Sequence, residues 1–393
     1  MNSVDKLDLE GLNVLIRVDF NVPIEGRRVF DNYRIKESIP TIKYCLDNGA
    51  AVILMSHLGR PTNNTDMKFS LEPVFFELEK LVDNEIFFSD DCISKSAINF
   101  SNELMPGEIH LLENLRFYKD EQENSNKFAE KLSEHADVYI NDAFGVSHRQ
   151  HSSNFAILKY FNKEDIAYGR LIEKELKNLN AIIDKPQKPF TVIMGGAKID
   201  DKIPMIERIL EKADNIIIGG KMAFAFLKAS NMNVGAVKVE DKLEKLSNNI
   251  IEKAKKNNIN IILPKDFVCI RDLNNYENWD IKNVESLNEN DFGFDIGPES
   301  SFEFGNIIKA SKSILWNGPM GVFEKKQFAT GTDSIATDVG YVREKGGQVV
   351  AGGGDTASAV NSIDLNHNFN HISTGGGASL EVLSGKKLKS LEV

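Results

Sequence analysis

The chain has 393 residues, of which 41% are hydrophobic and 27% charged, and its formal net charge is −11. This length exceeds what one ordinary hydrophobic core can hold, so we expect two domains in a globular protein. The acidic balance argues against nucleic acid or an anionic membrane as the main partner. Any anion must therefore bind at a local cluster of basic residues.

The cysteine content and the lack of long apolar runs indicate the cellular compartment of the protein. Cys45, Cys92 and Cys269 are far apart and odd in number, which predicts neither a disulfide framework nor a metal cluster. The first residues lack a signal-peptide pattern, and no apolar run approaches the roughly 18 residues of a membrane span. We therefore expect a cytoplasmic protein.

Short apolar runs alternate with longer amphipathic segments along the whole chain. Strands are predicted at Asn13–Val18, Ala51–Met55, Ile109–Leu112, Val138–Ile140, Thr191–Met194, Ile216–Ile218, Ile259–Leu263, Ile314–Trp316, Val349–Ala351 and His371–Ser373. Helices are predicted at Ile35–Asp47, Ser125–His135, Met205–Lys212, Leu243–Lys256 and Ile335–Lys345. Alternation of helices with nearly continuous apolar strands is typical of parallel α/β sheets, and it occurs in both halves.

The segment Asp165–Asp184 is the best candidate for a divider between the halves. Five apolar residues from Leu171 to Ile183 lie at helical spacing, and charged residues occupy many of the remaining positions. Pro186 and Pro189 follow as helix breakers. The pattern predicts a helix that bridges two domains.

Basic side chains follow several strands or strand-like runs of the first half. They are Arg34, His57, Arg60, Arg116 and Arg149. Ligands of open α/β sheets bind beyond the carboxyl ends of strands, where residues far apart in sequence converge. A single arginine is usually a surface cation, but five basic residues in such places predict a site for phosphate or carboxylate. Asp19 and Asn21 also follow a strand, and they can hold a hydroxyl or orient an arginine.

The stretch Gln348–Ser358, with the sequence QVVAGGGDTAS, joins an apolar run to a glycine turn and a helix start. Glycines let backbone N–H groups approach an anion, and the N-terminus of a helix adds unpaired donors. Asp355 at the lip of the turn would repel a bare phosphate, but it suits a divalent metal that bridges to phosphates. The stretch therefore predicts a Mg²⁺-nucleotide site.

Two other stretches of the second half follow strands. MGGAKIDDK places Lys198 and Lys202 four residues apart, on one face of a predicted helix start, where two amines suit nucleotide phosphates. A solvated charge pair is the alternative. WNGPMGVFE places Asn317 and Glu324 after a strand, and Glu324 is either a partner for ribose hydroxyls or an ordinary surface acid.

The glycine turn has other interpretations. It can be a tight turn that binds no ligand. Gly352, Gly354 and Ala357 fit the loose G-x-G-x-x-A pattern of dinucleotide-binding folds, but that pattern requires an acid roughly 20 residues on. Ser373 and the run Gly375–Gly377 stand there instead, which disfavours a dehydrogenase. The sequence contains no G-x-x-x-x-G-K-[S/T] motif, so it does not predict a P-loop enzyme.

The motifs together resemble those of the phosphoglycerate kinase family, in the family's order and nearly from end to end. They are RVDFNVP, SHLGRP, LLENLRF, DAFGVSHRQHSS, GGAKIDDK, DIGPES, WNGPMGVFE, GGGDTA and ISTGGGASLE. The resemblance implies an α/β fold with two Rossmann-like domains, each with a parallel sheet, joined by a long inter-domain helix. The implied divisions are an N-terminal phosphoglycerate-binding domain at 1–165, the helix at 166–184, a C-terminal Mg-nucleotide-binding domain at 185–377, and a tail at 378–393 that returns to the first domain.

The resemblance also implies the roles of individual residues. The phosphoglycerate site would comprise Asp19, Phe20, Asn21, Arg34, His57, Leu58, Gly59, Arg60, Arg116 and Arg149. The nucleotide, ATP or ADP, would contact Lys198, Lys202, Gly293, Asn317, Glu324, Gly352, Gly353, Gly354, Asp355 and Thr356. Asp355 would ligate Mg²⁺, mainly through the nucleotide phosphates. The catalytic groups would be Arg34, Lys198, Lys202, Gly375, Gly376 and Gly377.

The implied reaction is a step of glycolysis, in which 1,3-bisphosphoglycerate gives a phosphoryl group to ADP and yields ATP and 3-phosphoglycerate, reversibly. The implied enzyme is a monomeric kinase that closes about a hinge. Because the attacking oxygens are already anionic, no general base is needed, and the protein must align the reactants and neutralise charge. A non-catalytic nucleotide- or anion-binding protein on the same fold is the alternative, and loss of Asp355, Lys198 or Arg34 would have indicated it.

Two positions depart from the family pattern. Lys221 stands where the family commonly has glycine or alanine beside the adenine pocket. The chain ends GKKLKSLEV, without the Pro-Gly step that is frequent near the family's C-terminus.

Overall fold

The structure is a computed structural model, and it describes residues 1–62 and 66–392. The chain divides into two compact units, one made of residues 1–176 with those from 387 onward, the other of residues 177–386. Within the described residues, no helix combines the length and the apolar character that crossing a membrane requires.

A seven-stranded parallel sheet forms the centre of the first unit, counted over its described residues. In spatial order its strands are Asn2–Ser3, Ile166–Tyr168, Val138–Asn141, Asn13–Arg17, Ala51–Met55, Ile109–Leu111 and Ile86–Phe88. Alternate residues of a strand enter different cores: Val52 and Leu54 pack in the cluster on one face, whereas Ile53 packs in the cluster on the other. Burial on both faces explains why these strands are continuously apolar.

Helices and a short hairpin surround this sheet. The helices of the first unit are Tyr33–Asp47, Glu72–Leu78, Lys95–Asn102, Lys119–Gln122 and Asn126–Ser133, and the hairpin pairs Ile24–Glu25 with Arg28–Val29. The C-terminal residues pack on the same unit through Ser390, which is buried. Its hydroxyl donates to the carbonyl oxygen of Ser147 at 2.9 Å and accepts from the side-chain amide of Asn141 at 3.1 Å.

The second unit contains a parallel sheet of six described strands. In spatial order they are Asn260–Ile262, Asn215–Ile218, Phe190–Met194, Ser313–Asn317, Gln348–Ala351 and His371–Ile372. The helices of this unit are Ile203–Ile209, Ala223–Ala229, Asp241–Lys256, Pro298–Lys309, Thr330–Glu344, Gly354–Ser362 and Gly377–Leu383. Since neighbouring strands run parallel, the residues that follow their carboxyl ends lie along one edge of the sheet.

The prediction of an α/β fold with two parallel sheets is confirmed. Each of the ten predicted strands is present with bounds within one residue of those expected, and each predicted helix is present with bounds shifted by at most five residues. The sequence analysis missed an antiparallel sheet of the second unit, whose strands are Trp279–Asn283, Asp266–Ile270 and Phe292–Ile296. Trp279–Asn283 is an exposed edge strand of mixed polarity, so it lacks the apolar run by which strands were predicted.

The prediction of a helix over Asp165–Asp184 is wrong for the first residues of that segment. Ile166–Tyr168 is a strand, and the helix runs only over Arg170–Asp184. The carboxylate of buried Asp142 fixes the start of this helix by accepting from the backbone N–H of Leu171 at 3.0 Å. A side chain at Gly169 would collide with that carboxylate, so glycine is required between strand and helix.

Candidate active site

In the first unit, the residues after strand Asn13–Arg17 anchor the guanidinium of Arg34. This side chain projects from the first turn of helix Tyr33–Asp47. Its Nη1 donates to Oδ2 of Asp19 at 3.1 Å and to the backbone oxygen of Asn21 at 3.4 Å. About a quarter of the side chain, 26%, stays exposed. Arg34 is therefore held on one edge while part of its charge faces solvent.

The loop after the neighbouring strand Ala51–Met55 is held by side chains from elsewhere in the unit. The N–H of Gly59 donates to Oδ1 of Asn21 at 2.8 Å, and its carbonyl accepts from Nη1 of Arg116 at 2.7 Å. Asn114 pairs with both backbone groups of Leu58, at 3.1 and 2.8 Å. The predicted residues Asn21, Leu58, Gly59 and Arg116 thus lie together in a single hydrogen-bonded arrangement.

Sequence reasoning missed Arg17, which is fully buried beneath this loop. Its Nε donates to Oγ of Ser153 at 2.7 Å, and its Nη2 lies 3.2 Å from Nδ1 of His57 and 3.7 Å from Oε1 of Glu121. Arg17 is the last residue of an otherwise apolar strand. The apolar pattern therefore predicted a strand of the hydrophobic core and did not indicate a buried cation. Only its position beside Asp19 in the motif RVDFNVP could have indicated it.

The histidines of the cluster are neutral near pH 7. Burial, followed by the charges of Arg17 and Arg116, lowers the pKa of His57 well below its usual value. The same causes, in the same order, lower the pKa of His151 to about 3. Because Arg17 donates to Nδ1 of His57, we assign the proton of that neutral ring to Nε2.

Arginines make the cluster electropositive. Burial, followed by the charges of Arg17 and Arg149, lowers the pKa of Arg116 to about 10, which still leaves it charged at pH 7. Nε of Arg116 is buried and has no hydrogen-bond partner among the described residues. Arg60 and Arg149 are exposed, and Nε of Arg149 lies 3.4 Å from Nε2 of His148. A concentration of guanidinium groups suits a small, highly charged anion.

In the second unit, a cavity of about 650 Å³ opens beside the carboxyl ends of the parallel strands. Its lining includes Gly196, Lys221, Phe224, Lys238, Phe267, Phe292, Gly293, Phe294, Asp295, Glu324 and Asp355. Three of the predicted residues, Gly293, Glu324 and Asp355, therefore line a single cavity. Its volume is within the range of cofactor sites.

The aromatic side of the cavity depends on a glycine. The rings of Phe224 and Phe267 stack with their centroids 4.6 Å apart and an interplanar angle of 23°. A Cβ on Gly293 would lie 2.6 Å from Cζ of Phe224, so only glycine leaves these rings where they are. The result is a closely packed apolar wall behind Gly293, against which a planar base can lie.

The glycine turn after strand Gln348–Ala351 is fixed by two buried side chains. Nδ2 of Asn317 donates to the carbonyl oxygen of Gly352 at 2.8 Å. The hydroxyl of Thr356 donates to the same oxygen at 3.1 Å and accepts from the N–H of Gly318 at 2.6 Å. Gly353 has φ +100°, which favours glycine. Asn317 and Thr356 thus hold the turn, and Asp355 follows it with an exposed side chain.

The prediction that Lys198 and Lys202 share one face of a helix is wrong. Lys198 lies in a loop and is exposed, whereas Lys202 ends the short 3-10 helix Asp200–Lys202 and is buried. Nζ of Lys202 donates to the carbonyl oxygens of Gly195 at 2.5 Å and Asn317 at 3.0 Å. Burial lowers the pKa of Lys202 to about 8, against the opposing charge of Asp355. The two amines therefore have different environments.

A second glycine turn lies beside the first. Gly375–Gly377 connects strand His371–Ile372 to helix Gly377–Leu383. A Cβ built on Gly376 would lie 3.9 Å from the backbone nitrogen of Gly354, where helix Gly354–Ser362 begins. Two helix starts thus bring their free N–H groups close together, and such groups attract phosphate oxygens.

Comparison with known proteins identifies the family. The sequence model of the phosphoglycerate kinase family matches residues 4–386. The phosphoglycerate kinase of Finegoldia magna is 44% identical over 388 residues, covering 98% of this chain and 97% of the relative. The chloroplastic phosphoglycerate kinase of Volvox carteri is 44% identical, with 99% and 84% covered. The chain belongs to the phosphoglycerate kinase family.

Solved structures give the same result. The phosphoglycerate kinase of Coxiella burnetii aligns with a TM-score of 0.82 at 32% identity, covering 99% of this chain and 97% of that chain. The phosphoglycerate kinase of Pyrococcus horikoshii OT3 aligns with a TM-score of 0.83 at 28% identity, covering 100% and 98%. The resemblance predicted from the motifs is confirmed, and the chain is an enzyme of the kinase class.

Proposed function

We propose that this protein transfers a phosphoryl group from 1,3-bisphosphoglycerate to ADP, forming ATP and 3-phosphoglycerate, and that it also runs the reverse reaction. The observation that carries the proposal is the presence of two different anion sites in one chain. The first unit has a cluster of arginines, and the second has an aromatic cavity with glycine turns beside it. A non-catalytic binding protein is disfavoured because Arg34, Lys198 and Asp355 are all present.

The phosphoglycerate is assigned to the arginine cluster of the first unit. Arg34, Arg60, Arg116 and Arg149 supply positive charge around the pocket. Asp19, Asn21 and the loop of His57, Leu58 and Gly59 shape the pocket, next to Phe20. Neutral His57 donates through Nε2 to a ligand oxygen. Bidentate guanidinium donors select planar or tetrahedral anions of this kind.

The nucleotide is assigned to the cavity of the second unit. The base stacks at Gly293 beside Phe224 and Phe267, and Glu324 accepts from the ribose hydroxyls. The phosphates lie at the turn Gly352–Gly354, near Lys198 and Lys202. Asn317 and Thr356 act indirectly, because their side chains already hold that turn.

Mg²⁺ is the cofactor that the residues of this site fit. Asp355 is an exposed carboxylate on the cavity, next to backbone donors for phosphate. The described residues contain no group of three or more His, Cys, Asp or Glu side chains that could hold a metal ion alone. A single carboxylate with phosphate oxygens and water is the usual setting of Mg²⁺. Bound there, the ion would neutralise charge on the phosphates.

The proposed mechanism is in-line transfer by positioning and charge stabilisation. The nucleophile is a phosphate oxygen of ADP, or a carboxylate in reverse, and neither carries a proton that must be removed. Arg34, Lys198 and Lys202 neutralise the transferring group, and the N–H groups of Gly376 and Gly377 donate to its oxygens. Gly375 shapes the turn, because its own N–H donates to Oγ of Ser373 at 3.2 Å. No general base takes part. The lowered pKa of His57 agrees with this, because burial, followed by the charges of surrounding arginines, makes its ring a poor proton acceptor.

The proposal includes closure about a hinge, with helix Arg170–Asp184 as the connecting element. Each ligand is assigned to its own unit, and transfer requires that the ligands meet away from water. We expect 3-phosphoglycerate and a Mg²⁺-nucleotide analogue together to reduce the radius of gyration in small-angle scattering more than either ligand alone. An unchanged radius with both sites saturated would exclude the closure.

The proposal also takes the protein to be a cytoplasmic monomer that acts in glycolysis. The three cysteines are free and buried, which agrees with a reducing compartment. Analytical ultracentrifugation at assay concentrations tests the monomer, and a dimer would contradict it.

The proposed reaction is tested by a coupled assay. Purified protein, 3-phosphoglycerate and Mg²⁺-ATP are mixed with glyceraldehyde-3-phosphate dehydrogenase and NADH, and loss of NADH absorbance is followed. We expect NADH absorbance to fall only when both ATP and 3-phosphoglycerate are present. Loss of NADH without 3-phosphoglycerate, or none with it, would contradict the assignment.

A further inference from the structure

The buried carboxylate of Glu121 has no role in the mechanism proposed above. It belongs to the short helix Lys119–Gln122, and its side chain is fully buried, as is that of Arg17. Its Oε1 lies 3.7 Å from Nη2 of Arg17 and 3.7 Å from Nδ1 of His151. Burial of a carboxylate is unfavourable unless a cation and hydrogen bonds compensate it. Since His151 is neutral near pH 7, the cation that pairs with Glu121 is Arg17.

Ser153 joins the carboxylate of Glu121 to the guanidinium of Arg17. Its hydroxyl donates to Oε1 of Glu121 at 2.6 Å, and its backbone N–H donates to Oε2 at 2.9 Å. The same hydroxyl accepts from Nε of Arg17 at 2.7 Å. An ionised carboxylate only accepts and a guanidinium only donates, so each of these hydrogen bonds has a single possible direction. Glu121 therefore orients the hydroxyl, and the hydroxyl holds one edge of Arg17.

The other edge of the Arg17 guanidinium faces His57. Nη1 donates to the carbonyl oxygen of Val18, and Nη2 lies 3.2 Å from Nδ1 of His57. Because the guanidinium is planar and rigid, holding Nε and Nη1 also fixes the position of Nη2. Arginine has no acceptor, so Nδ1 of His57 must accept. The proton of the neutral ring is then on Nε2, the nitrogen proposed to donate to the phosphoglycerate.

A carboxylate near the same ring nitrogen favours the opposite tautomer. Oδ1 of Asp19 lies 3.8 Å from Nδ1 of His57, and a carboxylate can only accept, so it favours a proton on Nδ1. This distance is too long for a hydrogen bond, whereas the distance from Nδ1 to Nη2 of Arg17 is not. The tautomer of His57 therefore depends on whether Arg17 or Asp19 is the partner of Nδ1.

We propose that Glu121 is a positioning residue, which acts through Ser153 and Arg17 to select the tautomer of His57 that binds phosphoglycerate. The ligand in this inference rests on the proposed function, whereas the tautomer is a property of the free protein. Loss of the Glu121 charge releases Arg17 and lets Nδ1 of His57 take the proton on the side of Asp19. Nε2 then becomes an acceptor, which repels a phosphate or carboxylate oxygen of the ligand.

The first test measures the tautomer directly, by ¹⁵N NMR of the histidine rings at pH 7 without ligand. Ring nitrogens with and without a proton have well separated chemical shifts, and comparison with His57→Gln assigns the signals of His57. We expect the parent to carry the proton on Nε2. Glu121→Gln, which keeps the size and removes the charge, and Ser153→Ala, which removes the connecting hydroxyl, should both move protons to Nδ1. Circular dichroism melting confirms that each variant is folded.

The second test measures KM for 3-phosphoglycerate and kcat, with Mg²⁺-ATP saturating. Glu121→Gln and Ser153→Ala should each raise KM by about 10-fold or more, the usual effect of losing a hydrogen bond to a charged group, and lower kcat much less. Because both act on one chain of contacts, the double variant should be little worse than either alone. Glu121→Asp keeps the carboxylate and should recover part of the affinity. The control Glu123→Gln removes an exposed charge at the end of the same helix and should stay within about twofold.

Three results would overturn the proposal. They are a parent with the proton on Nδ1 of His57, folded variants that keep the tautomer of the parent, and a double variant whose loss is the product of the two single losses. If Glu121→Gln does not fold, Ser153→Ala and the parent still give both measurements. If the parent shows no turnover, the proposed function fails separately, and the NMR measurement still tests the tautomer.

Discussion

Arg34→Met is expected to lower kcat by about 10²- to 10³-fold, the range found when a charge-stabilising donor is removed from a transition state. Asp19 and the backbone of Asn21 anchor one edge of the Arg34 guanidinium, so its charge has a fixed position. Methionine retains much of the apolar stem and removes only the charge and the donors. The loss should appear in kcat more than in KM, because the charge is proposed to face the transferring phosphoryl group.

Steady-state kinetics with both substrates varied measure this effect. Arg28→Met is the matched control, because Arg28 is an exposed arginine of the hairpin in the same unit. It should leave kcat within about twofold. A variant in which KM for 3-phosphoglycerate rises and kcat is unchanged would assign Arg34 to ground-state binding alone.

Asp355→Ala is expected to weaken the use of Mg²⁺-nucleotide by about 10²-fold or more in kcat/KM, as other losses of groups that stabilise phosphoryl charge do. The carboxylate is exposed at the start of helix Gly354–Ser362, so its removal should not disturb the core. Binding of 3-phosphoglycerate should remain nearly unchanged, because that ligand is assigned to the other unit.

Calorimetry of 3-phosphoglycerate binding, together with nucleotide kinetics, tests this separation. Glu289→Ala removes an exposed negative charge from the same unit and serves as the control. Damage to 3-phosphoglycerate binding with normal nucleotide kinetics in the Asp355 variant would show that the two ligands have been assigned to the wrong units.

The sequence predicted the parallel sheets well, because burial on both faces makes their strands uninterrupted apolar runs. Residues placed after those strands, such as Asn21, Gly59 and Arg116, do meet, because parallel strands end at a common edge. The same reasoning placed Glu324 and Asp355 after strands of the second half, and both line one cavity. Gly293, which lines the same cavity, was predicted only from the resemblance to the family.

Other features depend on packing that periodicity does not encode. Lys198 and Lys202 have the spacing of neighbours on a helix face. However, Lys198 lies in a loop, and Lys202 is buried because its Nζ donates to two carbonyl oxygens. Arg17 occupies a position that the apolar pattern predicts to be part of the hydrophobic core. Its buried guanidinium is stabilised by contacts with Ser153, His57 and Glu121, which lie in distant parts of the chain. Such long-range partners become visible only when the fold is known.

The central claim is that positioned charge, with no protein base, drives the transfer. The direct measurement is kcat and kcat/KM for Mg²⁺-ATP from about pH 6 to 9, at fixed free Mg²⁺, in the parent and in His57→Gln. Because the pKa of His57 lies well below its usual value, His57 stays neutral throughout this range. Lys202, with a pKa of about 8 in the free protein, loses its charge as pH rises, so kcat/KM should fall above about pH 8 in both proteins.

We expect His57→Gln to raise KM for 3-phosphoglycerate more than it lowers kcat, and to leave the shape of both profiles unchanged. Ionisation of the substrate phosphates affects both proteins equally, so it cancels in the comparison. The contradicting result is a kcat that His57→Gln abolishes, together with the loss of an inflection near the usual histidine pKa of about 6.5. A histidine would then act as a base, and a mechanism by positioning alone would be excluded.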